Sequence, residues 1–192
     1  MFAPAGGSVP TPGWFAGKRA IDIGSGAGIP GMVMKIVLPE LQMTLLDSIQ
    51  KRTNFLIEVA NELELKGLEI INGRAEELGH ERDHREQYDV VTARAVARLT
   101  ELAELTIPFA NIGGTVILPK SQGVEDEVIE AAGAAEILGA APALTLTVSK
   151  PGNSPPDDMV YWMKISPTPQ EFPRKVGVPH QSPLVERSAE ND

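Results

Sequence analysis

Residues 20–31 read AIDIGSGAGIPG: an apolar run that ends in four glycines within eight positions, Gly24, Gly26, Gly28 and Gly31. Glycine reaches positive φ without steric cost and lets a ligand approach the backbone closely. A short strand that breaks into such a turn is the usual cradle of a nucleotide-like cofactor. Pro30, just past the first three glycines, suits the first position of a helix.

Working outward, 19–23 is expected as a buried strand. Met32, Val33, Ile36 and Val37 recur at helical spacing until Pro39. A second strand is expected at 42–47. Asp47 or Ser48 caps the next helix, whose apolar face is Phe55, Leu56, Val59 and Leu63. Further strands are expected at 68–73, 88–93 and 115–120, with helices from Leu99 to Ile107 and over 123–138. The last two strands, 144–148 and 159–165, are joined by a link too short for a crossover helix and so pair antiparallel. Strand and helix alternate up to that hairpin, which implies an α/β fold with a mostly parallel sheet and helices on both faces. Right-handed crossovers then place the glycine turn at the carboxyl edge of a central strand.

Composition narrows the classes. The chain of 192 residues is long enough for one well-buried domain, and its 42% hydrophobic and 22% charged content is ordinary for a globular protein. It has no cysteine, which excludes disulfides and cysteine zinc sites and makes a reducing cytoplasm the simplest setting. No apolar run reaches membrane-spanning length, and the N-terminus lacks the pattern of a secretory signal. A formal net charge of −9 argues against non-specific coating of nucleic acid. A local basic patch remains in FPRKVGVPHQ (172–181), with Arg174 and Lys175 adjacent and no acid. No long apolar stripe demands a dimer, so a monomer is expected. His80-Glu81-Arg82-Asp83-His84 matches the zinc-protease spacing, but its surroundings are almost wholly charged and offer no buried helix face. It reads as a solvated loop or a surface helix turn, and no metal is expected.

The glycine turn departs from the dinucleotide pattern G-x-G-x-x-G, because Ile29 stands at the third glycine. From Asp22 to Gly28 it reads D-x-G-x-G-x-G, which resembles motif I of the class I S-adenosylmethionine methyltransferases. Asp47 ends the second strand, where a carboxylate can accept from both ribose hydroxyls. NAD enzymes use the same device, so Asp47 alone does not discriminate. A reversed final strand is closer to the methyltransferase sheet.

DIGSGAGIPG, LLDSIQKRTNFL, GRAEEL, VTARAVA, LPK and FPRKVGVPHQSPL follow in order along 19–184. Together they resemble the RsmG (GidB) family of 16S ribosomal RNA guanine-N7 methyltransferases. The resemblance implies a seven-stranded Rossmann-like sheet with the last strand antiparallel, and S-adenosyl-L-methionine as cofactor. It places Gly24, Gly26 and Ile29 at the methionine end, Asp47 on the ribose, Ala75 and Glu76 beside the adenine, and Arg94 facing the cofactor and the incoming base. Lys120, Arg174 and Lys175 are implied as RNA contacts, with 16S ribosomal RNA or the small subunit as partner. No catalytic base is implied, since guanine N7 carries a free lone pair. The expected organisation is a short N-terminal segment (1–18), a methyltransferase domain (19–166) and a basic, Pro-rich tail (167–192). The family carries a helical segment of several dozen residues before the first strand, where this sequence has about 18. It also usually carries another lysine near Gln181. Two alternatives stay open: a truncated, non-catalytic relative that holds cofactor or RNA, and an NAD-dependent oxidoreductase.

Overall fold

The structure is a computed structural model that describes residues 15–94, 97–121, 123–150, 152 and 154–184. The elements are β1 (Arg19–Ile23), α1 (Gly31–Val37), β2 (Gln42–Asp47), α2 (Gln50–Glu62), β3 (Leu68–Asn72), α3 (Ala75–Leu78) and β4 (Tyr88–Ala93). After them come α4 (Leu99–Thr106), β5 (Ala110–Ser121), α5 (Glu125–Ile137), β6 (Leu144–Val148), β7 (Asp157–Met163) and α6 (Val178–Gln181). The strands form one sheet of seven in the order β3-β2-β1-β4-β5-β7-β6. β1 pairs in parallel with β2 and β4, β2 with β3, and β4 with β5. β7 runs antiparallel to both β5 and β6, as the short link between the last strands implied.

The strand order reverses at β1, so the loops after β1 and β4 diverge and leave a crevice at the carboxyl edge. The central strands read as near-continuous apolar runs because both their faces are covered. On one face Ala20, Met43, Leu45 and Val90 pack with Met32 of α1 and Leu56 of α2. On the other, Ile21, Ile23 and Val91 pack with Leu99, Leu102 and Ala103 of α4 and Ala131 and Ala134 of α5. The first turn of α5 carries Glu125, Asp126 and Glu127, a charge that suits a helix N-terminus.

Two sequence expectations need correction. In α1 only Met32 of the four apolar positions is buried; Val33, Ile36 and Val37 are exposed. The helix is only seven residues long and rests one side on the sheet. The side it buries includes Lys35, whose Nζ donates to the carbonyls of Pro39 and Leu41 at 2.7 and 2.6 Å. In α2, likewise, Leu56 is buried while Phe55 and Leu63 are exposed.

The second correction concerns the polar stretch 77–87, expected as a solvated loop or surface helix turn. His84 is buried there and meets the Tyr88 hydroxyl at 2.6 Å. Arg85 turns inward and donates to four backbone carbonyls, those of Gly79, Thr168, Pro169 and Phe172, at 2.6–3.1 Å. His80 meets the carbonyl of Pro173 at 2.6 Å, so the two histidines of the zinc-like spacing turn to different partners. The segment 168–173 is thereby stapled to the domain. Residues 1–14 and 185–192 of the expected terminal segments lie outside the described residues.

Candidate functional site

The glycine turn is built by its own backbone and by β2. The amides of Gly24 and Ser25 both donate to the Leu46 carbonyl, at 2.8 and 3.0 Å, which bends the chain sharply after Ile23. Gly24, Gly26 and Gly28 have φ of +70°, +58° and +92°. Side chains rarely adopt that region, so the alternating glycines are a conformational requirement. Gly31 has a different task. A Cβ there would overlap Leu45 and lie 2.7 Å from the Cβ of Asp22, so its absence lets α1 sit directly on β1 and β2. In the dinucleotide pattern the third glycine provides this close packing; here Gly31 does so, two positions beyond Ile29.

Two carboxylates brace the turn. Asp47, at the end of β2, is 2% exposed and accepts from the Gly26 amide at 2.8 Å and the Ile49 amide at 2.9 Å. Arg52 adds a weaker contact at 3.4 Å. A carboxylate has about four lone-pair sites, so Asp47 keeps acceptor capacity for a ligand. Asp22, within β1, accepts from the Gly31 amide at 3.0 Å through Oδ2, while its Oδ1 has no hydrogen-bond partner. Burial pushes the Asp22 carboxyl up to about 7, against the opposing pull of the Gly31 amide.

That shift sets a pH dependence. The folded-state value lies above the unfolded one, so Asp22 supports the fold fully below pH 4. Its contribution declines as pH rises toward 7 and is level above that. Asp22→Asn should therefore gain stability relative to wild type between pH 4.5 and 8, read by urea denaturation at both. A difference between the two proteins that stays constant over that range would remove Asp22 from this role.

Around the turn lie two recesses that share Gly24, Asp47 and Ser48 and together form one cleft. The first, of about 520 Å³, is lined by the glycine turn, Ile29, Arg52 and Arg94. The second, of about 350 Å³, runs between Ile23, Leu46, Gly73, Ala75 and Glu76 on one side and Leu105, Glu101, Gly177 and His180 on the other. All seven residues expected at a cofactor site, Gly24, Gly26, Ile29, Asp47, Ala75, Glu76 and Arg94, line this cleft. The residues fit such a group on the structure's own terms. The turn leaves open space at Gly26, where a Cβ would meet nothing nearer than 3.9 Å. The second recess has apolar walls for a flat ring and acceptors for hydroxyls.

The residues expected to contact RNA separate. Lys120 is 16% exposed and paired with Glu127 at 2.9 Å. Arg174 is joined to Glu104 through its amide, Nε and Nη2, at 2.6–3.0 Å, and Glu104 is fully buried. Lys175 is exposed. Sequence reasoning missed the far wall of the cleft, Glu101, Leu105, Gly177 and His180. Gly73 was legible as the end of the third strand, but nothing local in 177–180 marks those residues as neighbours of Glu76.

A family model described as rRNA small subunit methyltransferase G matches residues 13–153. The chain belongs to the GidB family. A ribosomal RNA small subunit methyltransferase G from Dehalococcoides mccartyi is 42% identical over 168 residues, which cover 88% of this chain and 72% of that protein. Its namesake from Oenococcus oeni is 45% identical over 164 residues, covering 85% and 67%. Among solved structures, an rRNA methylase from Streptococcus thermophilus superposes with a TM-score of 0.56 at 17% identity, covering 78% of this chain and 87% of that one. Aeropyrum pernix fibrillarin with bound S-adenosyl-L-methionine gives 0.58 at 16%, covering 77% and 67%. At such low identity these two establish the fold, a class I methyltransferase-like sheet, and this GidB-family chain carries it.

Proposed function

We propose that this chain methylates N7 of a guanine in 16S ribosomal RNA, with S-adenosyl-L-methionine as methyl donor. The observation that carries the reading is the continuous cleft at the carboxyl edge of β1 and β2, lined by the glycine turn, Asp47, Ala75–Glu76 and Arg94, in a chain of this family. S-adenosyl-L-methionine bound there would supply an electrophilic methyl on a sulfonium for the N7 lone pair, with the carbon–sulfur electron pair leaving on sulfur.

Guanine N7 has no proton to lose, so the protein need supply no general base. Its work is positioning, which can contribute about 7–11 kcal/mol. The glycine turn and Ile29 hold the methionine end, Asp47 the ribose, and Ala75 and Glu76 the adenine. Arg94 is exposed at the mouth of the first recess. N7 gains positive charge as it reacts, so Arg94 serves guanine O6 or the cofactor carboxylate and not N7 itself. Lys120 and Arg174 already hold internal carboxylates, so Lys175 is the phosphate contact the geometry favours. Aromatic residues make up only 5% of the chain, which favours recognition of RNA by shape and phosphate over base stacking. The substrate places this activity in the cytoplasm. Among the described residues, no helix is long and apolar enough to cross a membrane.

The test is transfer of labelled methyl groups to small subunits lacking the modification, with the product nucleoside identified by mass spectrometry. Label in 7-methylguanosine of 16S RNA is expected, and Arg94→Ala should lower the rate at least tenfold. Label confined to another nucleoside would overturn the N7 reading, and full activity of the variant would remove Arg94 from the site.

A further inference from the structure

The outer wall of the second recess comes from the C-terminal segment. Arg174 is clamped to the buried Glu104 of α4, and its Nη2 also donates to the Ser182 carbonyl at 2.8 Å. Between those two ties the segment turns over the cleft. The Gly177 amide, at a φ of +82°, donates to Glu76 Oε1 at 2.9 Å. One turn of helix later, His180 meets Glu101 Oε2 at 3.0 Å. Gly177 and His180 thus face Ala75 and Glu76 across the recess, with Leu105 and Glu101 completing that side. The contact between Gly177 and Glu76 spans 101 residues of sequence. It joins the residue expected beside the adenine to a segment whose neighbour, Lys175, is exposed and cationic.

We propose that residues 175–181 form the removable outer wall of the adenine end of the cleft, so that cofactor binding and docking of this basic segment strengthen each other. The inference rests on the cofactor reading above. A ligand that contacts the docked segment binds that state more tightly than one with the segment displaced, and it shifts the equilibrium by that difference in affinity. Reciprocity follows: whatever holds the segment in place, including an RNA phosphate on Lys175, raises affinity for the cofactor by the same factor. The ties of the segment suit such a hinge. The Arg174–Glu104 clamp is largely buried, whereas the hydrogen bonds that face the recess are one from the Gly177 amide and one His–Glu pair in which His180 is 79% and Glu101 15% exposed.

The segment carries its own reporter, because trypsin cleaves between Lys175 and Val176. Limited proteolysis of the full chain, with and without saturating S-adenosylhomocysteine, reads docking directly. Cleavage there should slow at least fivefold with ligand, while cleavage between Lys66 and Gly67, at the opposite edge of the sheet, changes less than twofold. A direct titration should show the double substitution Glu101→Ala, His180→Ala weakening S-adenosylhomocysteine binding three- to tenfold. His180 is 79% exposed and Glu101 15%, and the melting curve of the variant checks that it folds. Clear binding by the wild type without selective protection, or an unchanged dissociation constant in a folded variant, overturns this inference and leaves the cofactor assignment standing. No binding by the wild type overturns both.

Discussion

Asp47→Ala should weaken S-adenosylmethionine binding by about 100-fold or more, measured by calorimetric titration. Asp47 is almost fully buried at the floor of the cleft and already accepts the Gly26 and Ile49 amides. Its remaining lone pairs face the point where the two recesses join, where a ribose linking an adenine to a methionine end would lie. Hydrogen bonds to a charged acceptor contribute roughly 1.5–3 kcal/mol each, and two ribose hydroxyls would lose theirs together. The substitution also releases the Gly26 amide, so the turn loses one of the contacts that hold it against β2. Both effects act in the same direction on affinity. The melting temperature of the ligand-free protein separates loss of the site from loss of the fold. Retained affinity within threefold of wild type in a folded variant would mean that Asp47 only braces the turn.

Arg174→Ala should cost about 3–5 kcal/mol of folding stability, the cost of leaving a buried charge without its partner. Glu104 is 0% exposed and takes its contacts from the amide, Nε and Nη2 of Arg174. Removing the guanidinium leaves that carboxylate inside α4, between Leu102 and Leu105 of the core, with the backbone amide of residue 174 but no counter-charge. For a chain of this size the loss lowers the melting temperature by about 10 °C. A second substitution gives the control. Glu104→Leu added to Arg174→Ala removes the stranded charge and should recover at least half of the loss, a coupling that a double-mutant cycle isolates. A single variant within 1 kcal/mol of wild type would show that water reaches Glu104 readily and that the pair does not anchor the segment. Lys175, one residue on and exposed, has no such role, and its removal should leave stability unchanged while weakening RNA binding.

The glycine turn, the strands and Asp47 were legible because each rests on a local rule. Positive φ at Gly24, Gly26 and Gly28 demands glycine wherever the chain meets that turn, and a strand buried on both faces must be apolar throughout. The short link between β6 and β7 forces an antiparallel pair by length alone. Those constraints act over a few residues, so the order of residues carries them. The meaning of Gly31 was partly hidden, because the close approach of α1 to Leu45 and Asp22 depends on how two distant strands stand side by side. Exposure of Val33, Ile36 and Val37 was hidden for the same reason, since helical spacing marks an apolar stripe but not what it faces.

The partners of the charged residues lay further out of reach. Arg174 and Glu104 are 70 positions apart, and Gly177 and Glu76 are 101 apart. A cation in a proline-rich stretch looks free for phosphate whether or not a carboxylate waits inside the fold. Fold class and glycine turn therefore followed from the order of amino acids, because short-range sterics and periodicity set them, and the family resemblance pointed to residues that line the cleft. Which cations hold internal carboxylates, and which segment lines the far wall of the cleft, depended on the folded chain, because only the sheet brings α3, α4 and the C-terminal segment to one edge.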